Sequence, residues 1–416
     1  MNPWLLCILL IIFVQYVLEV SVALLNLKAL SPQLPEEFAG ETTQDEYAKS
    51  QEYTRITTYV SLLENTWSTG LTLIFLLSGG FNRVDIWARG LGFGTIPTGL
   101  LYMGVLLFLL MLIGLPFSLY STFVIENRFG FNKTTVKTFI LDHIKSILLA
   151  IIIGGPVLAL VLWFFEQTGA LAWIYCWIGV VIISIILQFL APVLIMPLFN
   201  TFTPLADGPL KEAIMSYAGQ QDFKMQGIFT MDGSKRSTKL NAFFTGFGHF
   251  RKIVFYDTLI EKLSEQEIIA VLAHEMGHFK LHHIIKMIFA SILQTGILFY
   301  FLSITLNNQG IFEAFGMAHL SIYASLVFFG FLFSPVNLLV SIVFNIFSRR
   351  HEYSADQFAS NSTGSPDTLI RGLKKLSCAN LSNLIPHPFH VFLHYSHPPI
   401  LERIAALRKN HFSSKS

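Results

Sequence analysis

Charged residues are scarce in this chain of 416 residues, since Asp, Glu, Lys and Arg together make up only 13% of it. A soluble domain carries about 25% charged residues, and 53% of this chain is hydrophobic. The shortage of charge excludes an ordinary soluble protein and predicts a membrane protein. With a net charge of only +2, the chain also lacks the basic surface that binds nucleic acid, so we expect no nucleic-acid partner.

Cysteine is equally scarce. The three cysteines, Cys7, Cys176 and Cys378, are scattered along the chain, and two of them lie in apolar runs. This distribution predicts neither a disulfide framework nor a cysteine-based metal site. Internal repeats and low-complexity segments are absent as well, so apolar runs and short motifs define the organisation of the chain.

Long apolar runs are abundant. A transmembrane helix needs about 20 apolar residues, and seven runs meet this length, near 3–25, 57–80, 97–122, 145–165, 171–196, 285–306 and 320–346. No Lys or Arg precedes the first run and no small-residue cleavage site follows it, so we expect a retained anchor rather than a signal peptide. The runs divide the chain into a membrane domain with five spans, residues 1–198, and a second domain, residues 199–416, that includes spans six and seven.

Basic residues in the short connections predict the orientation. The first and third connections hold Lys28, Lys49, Arg55, Arg128, Lys133, Lys137 and Lys145, whereas the second holds only Arg83 and Arg89. Connections rich in Lys and Arg stay in the cytoplasm, so we expect the first and third connections there. Because successive connections alternate between the two sides of the membrane, the long polar region after the fifth span and the C-terminus are expected to be cytoplasmic as well.

The stretch His274-Glu275-Met276-Gly277-His278 is an H-E-x-x-H sequence, and the S-x-x-E pattern at 264–267 predicts a capped helix start before it. Two histidines four residues apart lie on one helix face, so both imidazoles can reach one metal ion. Glu275 lies about 100° around the helix, where its carboxylate can take a proton from a metal-activated water. We expect this helix to run into the sixth span near residue 284, with the metal near the cytoplasmic boundary of the membrane.

A catalytic zinc site needs a third protein ligand besides two histidines and a water. The best candidate is Glu352, and Asp356 lies four residues later on the same helix face. Asp356 can accept the free ring N–H of a ligand histidine. A Glu-x-x-x-Asp pair downstream of H-E-x-x-H is the gluzincin pattern, so we expect one zinc ion per chain; His351 is the alternative third ligand.

Two short strands, near 239–247 and 252–256, are predicted on either side of a glycine-containing turn at 248–251. A strand edge beside the metal helix can hold an extended peptide through main-chain hydrogen bonds. Asn241 could point its amide at the developing oxyanion, or could be an ordinary turn or strand-end residue.

Several polar residues have no role that the sequence assigns. Glu19, Glu64 and Asn65 fall inside predicted spans, where such side chains face a water-filled cavity or form a helix–helix hydrogen bond. His282 continues the face of His274 and His278 but lies one turn further, too far for the same ion. His283 is off that face, and its role stays open.

The chain resembles the type-I CAAX prenyl proteases, the a-factor-converting family of membrane zinc metallopeptidases. The resemblance covers nearly the whole chain and is carried, in family order, by ENTWST at 64–69, RFGFN at 128–132, PLFN at 197–200, FTPL at 202–205, NAFF at 241–244, the H-E-x-x-H helix, SRRHEYSAD at 348–356 and YSHPP at 395–399.

The resemblance implies a mainly α-helical polytopic membrane protein, with about seven transmembrane helices around a water-filled chamber. A zincin-like metallopeptidase domain containing a small β-hairpin closes this chamber. The family's zinc ligands correspond to His274, His278 and Glu352, and its general base to Glu275. Its residues that contact substrate and transition state correspond to Asn241 and His397, and the strand that follows Asn241 through Ala242, Phe243 and Phe244 is the expected peptide-binding segment.

The implied activity is endoproteolysis, including removal of the last three residues after a prenylated cysteine. One alternative is a quality-control protease that acts on misfolded membrane proteins, and an alternative of another class is a transporter or channel that uses the polar residues of the spans. The expected partners are a peptide or protein substrate and the lipid bilayer. The tail, residues 411–416, lacks a dilysine retrieval signal, so the endoplasmic reticulum and a bacterial inner membrane both stay open, as does the oligomeric state.

Overall fold

The computed structural model describes residues 2–245, 251–306 and 308–413. Helices make up the N-terminal half, in the order α1 (Pro3–Lys28), a 3-10 turn (Glu36–Phe38), α2 (Gln44–Leu77), α3 (Gly80–Gly90), α4 (Thr95–Tyr120), α5 (Glu126–Arg128), α6 (Val136–Leu149), α7 (Gly155–Gln167), a 3-10 turn (Gly169–Leu171), α8 (Ala172–Leu190) and α9 (Met196–Phe199). Three π-helical turns, Ser121–Ile125, Ala150–Gly154 and Ala191–Ile195, join successive helices into longer rods.

The second half is mixed. It comprises β1 (Phe202–Pro204), α10 (Pro209–Gln220), β2 (Gly227–Met231), a 3-10 turn (Gly233–Lys235), β3 (Ala242–Thr245), β4 (Lys252–Tyr256), α11 (Asp257–Lys262), α12 (Glu265–Lys280), α13 (His283–Thr305), α14 (Gln309–Ala314), α15 (Ile322–Thr363), α16 (Pro366–Ala379), α17 (Pro388–His394) and α18 (Ile400–Ser413).

Within the described part of the chain, seven continuous helical segments are long and apolar enough to cross a bilayer. They are Pro3–Lys28, Gln44–Leu77, Thr95–Arg128, Val136–Gln167, Gly169–Phe199, His283–Thr305 and Ile322–Thr363. Each overlaps one of the seven predicted spans, so the prediction of a mainly α-helical, polytopic protein with seven spans is confirmed.

The seventh helix, α15, extends well beyond any membrane. Its 42 residues rise about 1.5 Å each, or about 63 Å in total, whereas the hydrocarbon core of a bilayer is about 30 Å thick. The sequence analysis predicted that this span ends near 346 and that Glu352 lies in a polar segment beyond it. The structure instead carries Glu352 and Asp356 on the same helix, so the membrane span and these metal-site residues belong to one continuous element.

The sheet is larger than the predicted hairpin. Its four strands have the order β1-β2-β4-β3, with β2 parallel to β4 and the other pairs antiparallel. The predicted pair is present as β3 and β4, in the register Ala242↔Phe255 to Thr245↔Lys252, but β3 begins three residues later than predicted. The predicted turn falls mostly on 246–250, which lie outside the described residues. β3 lies at the edge of the sheet, where its outer backbone groups can pair with an extended peptide.

Helix α12 begins as its sequence predicts. The backbone N–H of Ser264 donates to the Glu267 carboxylate at 2.8 Å, which closes the capping box. Burial raises the pKa of Glu267, but its contacts with Lys375 and Ser264 outweigh burial and lower the pKa. The C-terminal end differs from the prediction, because α12 stops at Lys280 and His282 adopts a left-handed conformation with φ of 57° before α13 begins. The metal helix and the sixth span are therefore two helices joined at a sharp turn.

Candidate active site

The close packing of α12 against α15 forms the centre of the site. A Cβ built on Gly277 would lie 3.0 Å from the Cα of Ala355 and 3.1 Å from its carbonyl oxygen, tighter than nine in ten real Cβ contacts. Glycine, which has no Cβ, allows the two backbones to approach this closely without a shift of either helix. The glycine inside the H-E-x-x-H sequence thus brings Glu352, one turn before Asp356 on α15, to the imidazoles of α12.

Three side chains predicted as metal ligands converge there. The Nε2 atom of His278 lies 3.2 Å from Glu352 Oε1, and the Nε2 atom of His274 lies 3.5 Å from Glu352 Oε2. The two Nε2 atoms are 3.3 Å apart, and the three possible ligand atoms lie within 4.8 Å of one another. His274 and Glu352 are buried, so the cluster is largely protected from solvent.

This donor set fits a metal ion. Glu352 Oε2 is buried and makes no hydrogen bond among the described residues, and its ion-pair contacts with His274 and Arg403 are long, at 3.5 and 3.3 Å, so this carboxylate oxygen is incompletely satisfied. A cation between the three groups would relieve it. Two imidazole nitrogens and one carboxylate oxygen suit a divalent transition metal and leave one position of a tetrahedral site open.

Asp356 supports the first histidine. Its Oδ1 atom lies 2.8 Å from Nδ1 of His274, the ring nitrogen that faces away from Glu352. Burial lowers the pKa of the His274 imidazole, but hydrogen bonds to Asp356 and Glu352 outweigh burial and raise it to about 9. The Asp356 carboxylate fixes the orientation of the His274 ring and strengthens it as a metal ligand.

Arg403, on α18, is a residue that the sequence analysis missed. It donates to both oxygens of Asp356, at 2.8 and 2.6 Å, and its Nη1 atom lies 3.3 Å from Glu352 Oε2. Ile400, Arg403, Ile404 and Leu407 have the spacing of a buried helix face. The sequence feature that could have identified Arg403 is therefore an arginine at a core-facing position of an amphipathic helix.

His283, whose role the sequence left open, supports the second histidine. It is buried, and its Nδ1 atom lies 3.2 Å from Nδ1 of His278. Its other ring nitrogen lies 3.3 Å from the hydroxyl of Ser354, and its ring stacks on that of His351 at 4.0 Å. His351, the alternative third ligand, thus packs against His283, and the three-residue metal cluster does not include it. The sharp turn at His282 creates this arrangement, which helical spacing did not predict.

Glu275 faces two adjoining cavities. The larger, of about 640 Å³, is also lined by His278, Glu352 and His397, and we refer to it as the catalytic cavity. The smaller, of about 140 Å³, is lined by Asn241 and His274 as well as by Glu275. Desolvation raises the pKa of the Glu275 carboxyl, which makes its carboxylate a stronger base than an exposed one.

Asn241 and His397 reach the same cavities from separate elements. Asn241 immediately precedes β3, and its side-chain oxygen accepts the N–H of Ala242 at 2.9 Å. His397 precedes α18, is mostly exposed, and places Nε2 3.4 Å from Glu352 Oε1. Phe243 and Phe244 line the catalytic cavity, and Ala242 lines the smaller one. The structure therefore brings all the predicted site residues around one centre.

The polar residues of the early spans face cavities too. Glu19 and Asn65 line a cavity of about 650 Å³ between α1, α2 and α15, where Glu19 also lies 3.3 Å from His394. Glu64 lines a separate cavity of about 300 Å³. These positions favour the cavity-facing interpretation for Glu64 and Asn65, whereas Glu19 both lines a cavity and contacts a side chain of another helix, α17.

Comparison with known families accounts for almost the whole chain. Residues 23–201 match the family model described as CAAX prenyl protease N-terminal, five membrane helices. Residues 204–411, half of the chain, match the model of peptidase family M48. The chain belongs to peptidase family M48. It is a multi-pass membrane metallopeptidase, so the predicted family, enzyme class and membrane class are confirmed.

Relatives of this M48 peptidase are similar over most of their length. It is 35% identical to CAAX prenyl protease 1 of Saccharomyces cerevisiae, over 91% of this chain and 89% of the relative. It is also 35% identical to the CAAX prenyl protease 1 homolog of Arabidopsis thaliana, over 95% of both chains. The crystal structure of S. mikatae Ste24p matches with a TM-score of 0.93 and 34% identity, covering 98% of this chain and 99% of the other.

Proposed function

We propose that this M48 peptidase is a zinc endopeptidase that removes the C-terminal tripeptide after a prenylated cysteine. The convergence of His274, His278 and Glu352 beside Glu275 carries the proposal for the peptidase chemistry. The names of the relatives and an apolar groove that joins the catalytic cavity support the substrate. We propose zinc as the ion because two histidines, one carboxylate and an open position are the ligand set of a catalytic zinc site.

Each residue of the site has a separate role in hydrolysis. When bound, zinc would polarise the scissile carbonyl and lower the pKa of the attacking water. Glu275 takes a proton from that water and delivers it to the leaving amine. His274 and His278 keep their rings in place through Asp356 and His283, which is the usual role of such partners around metal ligands.

Asn241 and His397 are proposed to stabilise the oxyanion and to orient the substrate. Asn241 lines the smaller cavity beside Glu275 and His274, and His397 lines both cavities. The Asn241 amide group and the His397 imidazole can each donate a hydrogen bond to the developing negative charge. The edge strand β3 would hold the substrate backbone, with Phe243 and Phe244 toward its side chains.

The prenyl group is proposed to lie in an apolar groove between α13 and α15. This groove, of about 600 Å³, shares Met287, Phe344 and His351 with the catalytic cavity. Leu293 and Phe347, on its lining, are exposed by half or more, so the groove opens to the surrounding lipid. Because a tail already in the bilayer gains little from a second apolar environment, the groove serves to position the substrate rather than to add affinity.

We propose that the site faces the cytoplasm, since the connections rich in Lys and Arg and the metallopeptidase domain fall on the same side of the seven-span topology. Sealed vesicles of known orientation, carrying the protein with a protease-cleavable C-terminal tag, would test this. Removal of the tag only from the cytoplasmic side supports the proposal, and removal only from the opposite side overturns it.

The experiment for the proposed function is hydrolysis of a farnesylated CAAX peptide by the purified protein. We expect release of the tripeptide, loss of activity with a chelator, and recovery on adding zinc. The same peptide without the farnesyl group is the control, and we expect it to be a much poorer substrate. Equal hydrolysis of both peptides would contradict the prenyl specificity, and activity insensitive to the chelator would contradict the metal mechanism.

A further inference from the structure

Arg251 lines the catalytic cavity. Its guanidinium lies 3.7 Å from the ring centroid of Phe279 and 5.2 Å from that of Phe223. Phe279 and the proposed ligand His278 line the same cavity as Arg251. A guanidinium over an aromatic ring interacts with it through its π-face, and this leaves the N–H donors at its edge free for another group.

Among the residues that the structure describes, those donors have few hydrogen-bond partners. The Nε atom of Arg251 is buried without a hydrogen-bond partner among the described residues. One Nη1 donor reaches the carbonyl oxygen of Lys224, at 3.5 Å, which is at the limit of a hydrogen bond. A guanidinium has five N–H donors, and burial lowers the pKa of this one, the direction expected for a cation that lacks a counter-ion.

The other arginine near the metal site, Arg403, differs from Arg251 because its donors have carboxylate partners. Arg403 donates to Asp356 at 2.8 and 2.6 Å and thereby neutralises buried carboxylates. Among the described residues that line the catalytic cavity, Arg251 is the one Lys or Arg, and it does not line the apolar groove. The cavity therefore has a catalytic part, an apolar extension and one cationic position.

We propose that Arg251 binds the free C-terminal carboxylate of the peptide substrate. The inference rests on the proposed function, because only a substrate cut near its end places a carboxylate beside the catalytic site. A tripeptide in extended form spans about 10 Å, and Arg251 lines the same cavity as the metal-cluster residues His278 and Glu352. A guanidinium pairs with a carboxylate through two parallel hydrogen bonds, so Arg251 would select the chain end and set the cut three residues from it.

The test compares two farnesylated peptides of one sequence, one ending in a free carboxylate and the other in a carboxamide. A hydrogen bond to a charged group contributes about 1.5–3 kcal/mol, so the wild type should prefer the carboxylate by about 10–100-fold in kcat/KM. Arg251→Gln should lose this preference and cleave both peptides at the wild-type carboxamide rate. Lys252→Gln, the control, should keep the preference, since Lys252 packs over Phe229 away from the cavity.

The outcomes separate this inference from the proposed function. Equal cleavage of both peptides by the wild type, or an unchanged preference in Arg251→Gln, overturns the role of Arg251 and leaves the prenyl peptidase standing. Cleavage of neither peptide by the wild type overturns the proposed substrate. If Arg251→Gln loses carboxamide cleavage as well, Arg251→Lys decides, because it keeps the charge: a retained preference supports the contact, and an absent preference overturns it.

Discussion

Glu352 and Asp356 lie one turn apart on α15 but contact different atoms of the metal cluster. Glu352 faces both Nε2 atoms, whereas Asp356 reaches only Nδ1 of His274. Glu352→Ala should therefore abolish stoichiometric zinc binding. Asp356→Ala should weaken zinc binding by about 10–100-fold, as is usual for a residue that orients a ligand. Titration of the purified variants with zinc measures both, and full zinc and activity in Glu352→Ala would place the third ligand elsewhere.

Arg403 compensates the buried charge of Asp356 and Glu352, and its removal should be costly. Removing one partner of a buried ion pair costs about 3–5 kcal/mol, so Arg403→Gln should lower the unfolding temperature markedly in detergent. Arg408→Gln is the matched control on the same helix. Arg408 pairs with Glu37 at 2.6 and 2.8 Å but is half exposed, and an exposed pair contributes about 0–1 kcal/mol. Equal losses of stability in the two variants would contradict the structural role of Arg403.

The sequence predicted the chemically distinctive residues of the site and one supporting residue, Asp356, but not the support from Arg403 and His283. His274, Glu275 and His278 are fixed by helical spacing, and a third ligand is demanded by coordination chemistry. Arg403 and His283 have no such local signature, because tertiary packing alone brings them to the metal cluster. Burial of an arginine and the left-handed turn at His282 depend on contacts between distant segments, which spacing along the chain does not encode.

At the scale of elements, the crossing of α12 and α15 controls the geometry of the site. Gly277→Ala places a methyl group 3.0 Å from the backbone of Ala355, so the helices must move apart. We expect a loss of about 1–3 kcal/mol of stability together with weaker zinc binding. Gly219→Ala, on α10, is the control, since a Cβ there meets nothing within 4 Å. Wild-type zinc affinity in Gly277→Ala would show that the helix spacing does not set the ligand geometry.

Strongly periodic or long apolar elements were predictable, and short ones were not. The capping box at Ser264 and the β3–β4 pair follow from local sequence. β1 has only three residues and β2 only five, and the parallel pairing of β2 with β4 joins segments about 25 residues apart in sequence, beyond the reach of a hairpin pattern. The continuity of α15 was missed because its polarity changes at Ser348 while its helical conformation does not.

At the scale of the whole molecule, the site lies where the membrane helices meet the metallopeptidase domain. The catalytic cavity takes residues from α8, α13 and α15 as well as from β3 and α12, including Gln188 and Ser291 from the membrane spans. A folded domain cannot enter such a space, so only extended segments should be cut. The same cleavable sequence should be hydrolysed in a flexible tail and resist hydrolysis inside a stably folded soluble domain. Equal cleavage of both would favour an open groove of the soluble type.

The role of Glu275 is the most direct test of the proposed mechanism. Glu275 is proposed to take a proton from the attacking water, yet it is not one of the three residues of the metal cluster. Zinc content and hydrolysis of the farnesylated peptide should be measured together on purified wild type and Glu275→Ala. We predict one zinc ion per chain and an unchanged unfolding temperature in the variant, with hydrolysis reduced by about 10²–10⁴-fold, as expected for loss of a general base. Loss of zinc from Glu275→Ala, or hydrolysis at the wild-type rate, would contradict the assignment of Glu275 as the base in a site built by His274, His278 and Glu352.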